Sequence, residues 1–371
     1  MTTWFSAADC RLDDFRSLVE QQTDRADYPH AAEVRQNVLI YEPDRGATDR
    51  DELRSELIRA LRDGPGIVVF RHAFEPAVVD RATAVFTTMI EEQKAAGIVG
   101  GDHFAKPGAN DRIWGALDKF ALREPALFAD YYANDTLALI SSAWLGRGYQ
   151  VTSQINVVNP GGRAQVAHRD YHLGFMSFAQ AEAYPAHIHL LSPALTLQGA
   201  VAHVDMPVET GPTMYLPHSQ KYPAGYLAFH LDEFTAYFDD NHVQLPLEKG
   251  DAAFFNPALF HGAGTNRSAD VRRMANLLQV SSAFGRAMET VDRTAMCRAL
   301  YPVLRDFAGN VGNVVAAAAE GYAFPTDLDQ DQPIGGLAPP TQAELLQQAL
   351  TEKWDTPQFE KTLLDQQQRR G

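Results

Sequence analysis

The segment AHRDYHLGF (167–175) and the histidine of FFNPALFHGAGTNRS (254–268) constrain the fold of this chain more than any other feature. His168 and Asp170 in the first segment and His261 in the second amount to two imidazoles and one carboxylate. That ligand set holds non-haem Fe(II) on one face and leaves the opposite positions open. Only a fold that brings two distant segments together can assemble it.

Twelve histidines produce three His-x-Asp triplets, so the choice among them has to be argued. His230 and Asp232 sit where Leu227, Leu231, Phe234 and Phe238 repeat at the spacing of one helical face. Residues two apart on a helix diverge and cannot share one cation. His203 and Asp205 are a stronger rival, because 195–206 alternates like a strand and puts both on one side. That run ends in the turn-like PVETGPT, whereas His168 follows a strand and the Pro160-Gly161-Gly162 turn, which favours His168 and Asp170. His187 and His189 form a His-x-His pair that, with His203, keeps open a cupin-like metal-dependent isomerase or a non-oxygenase metal-binding module. No glutamate follows that pair until Glu209, too late for the usual cupin pattern.

From Gln150 the pattern turns to period two. Val151, Ile155 and Val157 face one way, and Thr152, Gln154 and Asn156 the other. The polar row either meets solvent or lines a cavity. Further strands are expected at 67–70, 195–206, 213–216, 243–245, 252–255 and 272–281, separated by Gly, Pro and Asp turns. Many short strands of this kind predict a mainly β fold with flanking helices and a double-stranded β-helix core, jelly-roll or cupin-like, whose interior collects ligands from separated strands. Leu53, Leu57, Ile58 and Leu61 mark one helix, and Pro76 opens another. The expected organisation is an N-terminal helical extension (1–63), a catalytic core (64–285) and a C-terminal helical extension (286–371). In the last, Thr341 and Glu344 have the form of a capping box, and the helix they open either packs on the barrel or makes a homodimer contact.

Composition narrows the partners. A net charge of −15 disfavours nucleic acid and anionic membrane, which both need positive surface. A small-molecule substrate fits better. Cys10 and Cys297 are the only cysteines, so no disulfide framework is expected. With no secretory signal pattern and no apolar run of membrane-spanning length, the reading is cytoplasmic.

With these residues in view, the chain resembles the phytanoyl-CoA dioxygenase family of Fe(II)- and 2-oxoglutarate-dependent oxygenases over roughly residues 64–282. The resemblance rests on His168-Arg169-Asp170, on His261 in FHGAGTNRS, and on Arg272 at the family's spacing after the distal histidine. GIVVFRHAFEP and 209–222 add weaker matches. In the latter, Pro217-His218-Ser219-Gln220 departs from the family's Pro-Gly-Ser-His, so substrate contacts do not carry over. The resemblance implies that His168, Asp170 and His261 bind Fe(II). It further implies that Arg272 grips the distal carboxylate of 2-oxoglutarate, that Gln154 and Asn156 contact that cosubstrate, and that O2 completes the set. A small organic molecule would be hydroxylated, with release of succinate and CO2. Arg267 and Arg273 compete for the anchoring role, but Arg267 falls in a turn and Arg273 on the strand face opposite Arg272. Asp170 stands where similar halogenases carry a small residue, which favours hydroxylation over halogenation. Pocket shape depends on loops at 100–112 and 171–184.

Overall fold

Local sequence sets the first elements. Asp49 accepts hydrogen bonds from the backbone N–H groups of Asp51 and Glu52, capping the helix Arg50–Arg62, which buries Leu53, Leu57, Ala60 and Leu61 along one face. Pro76 occupies the first turn of the helix Pro76–Ala95, where its missing N–H is no loss. These elements belong to a computed structural model that describes residues 2–42, 49–98 and 108–371. Of the expected pocket loop 100–112, positions up to 107 lie outside the described residues.

Eleven strands follow in chain order among the described residues: β1 (Glu33–Arg35), β2 (Val38–Tyr41), β3 (Ile67–Phe70), β4 (Asn110–Ile113), β5 (Gln150–Val158), β6 (Thr196–Ala202), β7 (Met214–Leu216), β8 (Val243–Gln244), β9 (Ala252–Phe255), β10 (Phe260–Gly262) and β11 (Arg273–Ser281). Eight form a major sheet in the order β1-β2-β3-β9-β6-β11-β5-β4, and three form a minor sheet, β10-β7-β8. Only β2 and β3 pair in parallel. Tyr215 of β7 and Leu245 pack with Val38, Ile40, Ile67, Val69 and Phe255 of the major sheet, closing one end of the jelly-roll core.

The period-two pattern of the long strands decides which residues enter the interior. Register pairs Ala275 with Asn156, Leu277 with Gln154 and Gln279 with Gln198, while Asn156 also faces Arg112 on β4. This row faces inward. Its complement, including Val151, Ile155, Val157, Val201, Phe254, Leu278 and Val280, joins a single apolar cluster with the helices, and that cluster reaches from Tyr28 to Leu363. Residues from both chain ends therefore share one core with the sheet. Among the described residues no helix is long and apolar enough to cross a membrane.

Two departures from the sequence reading have local causes. The sequence pattern places no element between 97 and 149, yet β4, at the edge of the sheet, and the helices Ala116–Arg123, Pro125–Tyr132 and Asp135–Leu145, which cover its back, occupy it. The single helix expected across 227–238 is broken: Gly225–Ala228 is one short turn, Leu231 is extended, and Asp232–Asn241 begins anew. Both pieces still bury their apolar faces, which is why the periodicity looks continuous. His230 and Asp232 are exposed or half-buried at the break.

The back of the sheet also carries a buried polar network. His203 bonds Thr83 through Nδ1 (2.8 Å) and the Tyr131 hydroxyl through Nε2 (3.0 Å), and Asn276 donates to Tyr131 (3.2 Å) and accepts from Ser153 (2.6 Å). Burial pulls the His203 pKa from 6.5 down to about 3, so the folded protein keeps this ring neutral where the unfolded chain would protonate it. The resulting stability is complete above about pH 6.5 and is lost as pH falls toward 3. The variant His203→Gln should therefore show a shallower loss of stability between about pH 6 and pH 4, by up to about 1.4 kcal/mol per pH unit, in urea unfolding followed across that range.

Candidate metal centre

His168 and His261 come together through main-chain pairing. An isolated antiparallel bridge joins the two residues, with His168 N–H donating to the His261 carbonyl (3.0 Å) and His261 N–H to the His168 carbonyl (3.1 Å). The rings lie 4.5 Å apart. Each Nδ1 sits against a carbonyl two residues back, that of Val166 for His168 (2.9 Å) and that of Leu259 for His261 (2.8 Å). A carbonyl only accepts, so each ring carries its hydrogen on Nδ1 and presents an unprotonated Nε2, the tautomer a metal requires.

Asp170 completes the group. Its backbone N–H donates to the Pro257 carbonyl, and its Oδ2 lies 3.6 Å from His261 Nε2. Gln198 of β6 donates through Nε2 to the same carboxylate oxygen. Burial on its own would raise the Asp170 pKa. When the imidazoles are in their charged form, the hydrogen bond from His261, the charges on His168 and His261 and the Gln198 amide outweigh that and hold the carboxyl at about 2, so Asp170 is already ionised when the rings are neutral. Donor atoms of His168, Asp170 and His261 all lie within 4.8 Å of one another. Two neutral imidazole nitrogens and one ionised carboxylate at that separation fit a first-row divalent cation such as Fe(II).

The three donors open onto a cavity of about 140 Å³ between the sheets. Gln154 and Asn156 line it, buried to 2% and 7% exposure, so the polar row of β5 faces the interior. Arg272 does not. Its side chain is 48% exposed and is paired with Asp111 at 2.9 Å, which also binds Lys94 at 2.7 Å. Arg273 instead lines the cavity and is 6% exposed. The facing expected for these two arginines is thus reversed. Arg272 precedes the strand and shares the parity of Met274 and Leu278, the row that meets the helices, so its charge turns aside to Asp111. Arg273 opens the inward row of Ala275, Leu277 and Gln279. Burial pulls its pKa down to about 10, and among the described residues no carboxylate pairs with it. Arg267 is exposed in its turn.

The rival donor sets do not assemble. His203 lies behind the sheet in the network described above, and Asp205 is exposed and accepts from the Lys249 backbone N–H. His187 is exposed, while His189 is buried with Nε2 on the Ala181 carbonyl. Sequence reasoning missed Gln198, although a lone glutamine in the apolar strand TLQGAVA was a usable signal, as well as Arg112, Trp114 and Tyr215 on the cavity wall.

A sequence model of the phytanoyl-CoA dioxygenase (PhyH) family matches residues 49–274. Among curated proteins, dioxygenase cdmD of Talaromyces verruculosus is 33% identical over 116 residues, 31% of this chain and 34% of that protein. Dioxygenase trt7 of Aspergillus terreus is 24% identical over 212 residues, 56% of this chain and 67% of the relative. The match thus spans about a third of the first relative's length. Among solved structures, the non-haem alpha-ketoglutarate-dependent carbocyclase SnoK from nogalamycin biosynthesis aligns at 21% identity and a TM-score of 0.44, over 64% of this chain and 87% of its own.

Substitution separates the donor sets directly. His168→Ala and His261→Ala should each abolish stoichiometric Fe(II) retention after anaerobic loading and desalting, while His203→Gln should retain the metal, as read by elemental analysis.

Proposed function

The chain belongs to the phytanoyl-CoA dioxygenase family, and from that premise we propose that it is an Fe(II)- and 2-oxoglutarate-dependent dioxygenase that hydroxylates a small organic molecule. The observation carrying this reading is the placement of a buried guanidinium, Arg273, in the same cavity as the His168, Asp170 and His261 donors. A cation in that setting calls for an anion, and a dicarboxylate short enough to reach the metal supplies one.

With Fe(II), 2-oxoglutarate and O2 bound, the site would supply oxidising equivalents, the keto acid leaving as succinate and CO2 while one oxygen atom goes to the substrate. The protein's part is positioning. His168, Asp170 and His261 would hold the cation through three positions and leave the cavity side open. Arg273 would bind the distal carboxylate as a planar fork, each charge-assisted hydrogen bond being worth about 1.5–3 kcal/mol. Tyr215 and Thr213, which line the cavity with it, would shape that end. Asn156 and Gln154 follow along the inward row of β5 and would orient the keto-acid end and the substrate. Gln198, by fixing the Asp170 carboxylate, would keep one oxygen turned to the metal.

The remaining wall is mixed. Trp114, Phe175, Leu277 and Met288 supply apolar surface, with Gln279 among them, which suits a compact organic substrate held with few polar contacts.

Anaerobic addition of 2-oxoglutarate to the Fe(II)-loaded protein should produce a visible metal-to-ligand charge-transfer band. Titrated by that band, Arg273→Met should weaken 2-oxoglutarate by at least about 150-fold, as expected for two lost charge-assisted bonds at the low end of that range, whereas Arg272→Met should stay within about twofold of the parent. The reverse order would return the anchoring role to Arg272, and no band with full metal content would exclude the dioxygenase reading.

A further inference from the structure

We propose that Arg169, the residue between the two donors of the His168–Asp170 loop, is a positioning residue that holds the segments carrying all three metal donors in one geometry. The inference rests on the metal-centre reading above.

Arg169 is 2% exposed, and its guanidinium carbon lies over the rings of Tyr226 and Phe260, 5.2 Å from each centroid. Nη2 donates to the carbonyls of Ser219 (2.5 Å) and Tyr222 (3.0 Å), and Nε has no partner among the described residues. No carboxylate among them pairs with it. For stability alone this is a poor filling of an aromatic slot, since a desolvated cation without a counter-ion is disfavoured against an apolar side chain of similar shape.

The contacts show what the cation connects. Phe260, in contact with the guanidinium, directly precedes His261, and its N–H donates to the Ser219 hydroxyl. Tyr226, also in contact with it, donates its hydroxyl to the Asp170 and Tyr171 carbonyls (2.8 and 3.1 Å). Ser219 and Tyr222, whose carbonyls accept from Arg169, belong to the same segment as Tyr226. One planar group therefore ties the His168–Asp170 loop, the His261 strand and the 219–226 segment together. It sits on the side of the loop away from the cavity, as a counter-anchor to the two donors that face inward. Gly225 is shaped around it: a Cβ there would stand 1.9 Å from the guanidinium carbon.

The test compares metal affinity with stability in the full chain. Mn(II) is titrated by electron paramagnetic resonance into the metal-free parent, Arg169→Met and Gly225→Ala, with thermal unfolding of the same metal-free samples alongside. Arg169→Met should keep or raise the Tm while weakening Mn(II) by at least about tenfold. Gly225→Ala, which displaces the guanidinium without removing it, should weaken Mn(II) in the same direction. Arg169→Met binding Mn(II) within about twofold of the parent overturns the inference. So does a variant that fails to fold, or one whose affinity falls only in step with its Tm, because either makes Arg169 an ordinary packing residue. A parent that binds no Mn(II) instead removes the metal-centre reading itself, and this inference with it.

Discussion

The pair of main-chain hydrogen bonds between His168 and His261 is the constraint on which the rest of this protein depends. Side chains alone hold a metal-free donor set poorly, because every rotamer fixed is entropy lost and nothing occupies the centre to repay it. Here the backbone does the fixing. The bridge sets the separation of the two imidazoles, the Asp170 N–H on Pro257 sets the third donor, and the carbonyls at Val166 and Leu259 fix the ring tautomers. The donors are thus arranged before any cation arrives, and binding need not order them.

Around that bridge Arg169 and Arg273, two of the four arginines buried among the described residues, have opposite meaning. Arg273 faces the cavity with its guanidinium uncommitted to any described carboxylate, which is the arrangement of a site that receives an anion. Arg169 faces away from the cavity and spends its hydrogen bonds on main-chain carbonyls, in contact with two aromatic rings. Both are unfavourable by the ordinary rule that buried charges pair. Local violations of that rule are expected where a fold serves something other than its own stability.

Much of the site was legible in the sequence because its signals are short-range. His168, Asp170 and the preceding turn are read in one stretch, and the alternation of 150–158 by itself separates Gln154 and Asn156 from Val151, Ile155 and Val157. Whether that polar row met solvent or a cavity was not legible, since the answer depends on which sheet lies opposite. Strand parity, and not the spacing rule, picks out the arginine that lines the cavity. In 273–280 the even positions are Met, Asn, Leu and Val and the odd ones Arg, Ala, Leu and Gln. Counting back from the apolar row leaves position 272 with no inward face. The helices between 116 and 145 were missed for a different reason: short segments such as Pro125–Tyr132, largely buried on more than one side, lack the one-sided periodicity by which a helix is recognised.

The same parity argument explains why the candidate metal donors and the polar network of His203 coexist without competing. β6 leads toward both: Gln198 points inward to Asp170, and just past the strand's end His203 turns to Thr83 and Tyr131 behind the sheet. The thickness of one sheet therefore separates an imidazole that must stay uncharged to remain buried from imidazoles that must stay uncharged to bind a cation. The first is kept neutral by desolvation. The second pair is prepared by the hydrogen bonds of Nδ1, which choose the tautomer and leave Nε2 toward the cavity. Two chemically identical requirements are met by different physical means because only one of the two environments has to admit a ligand.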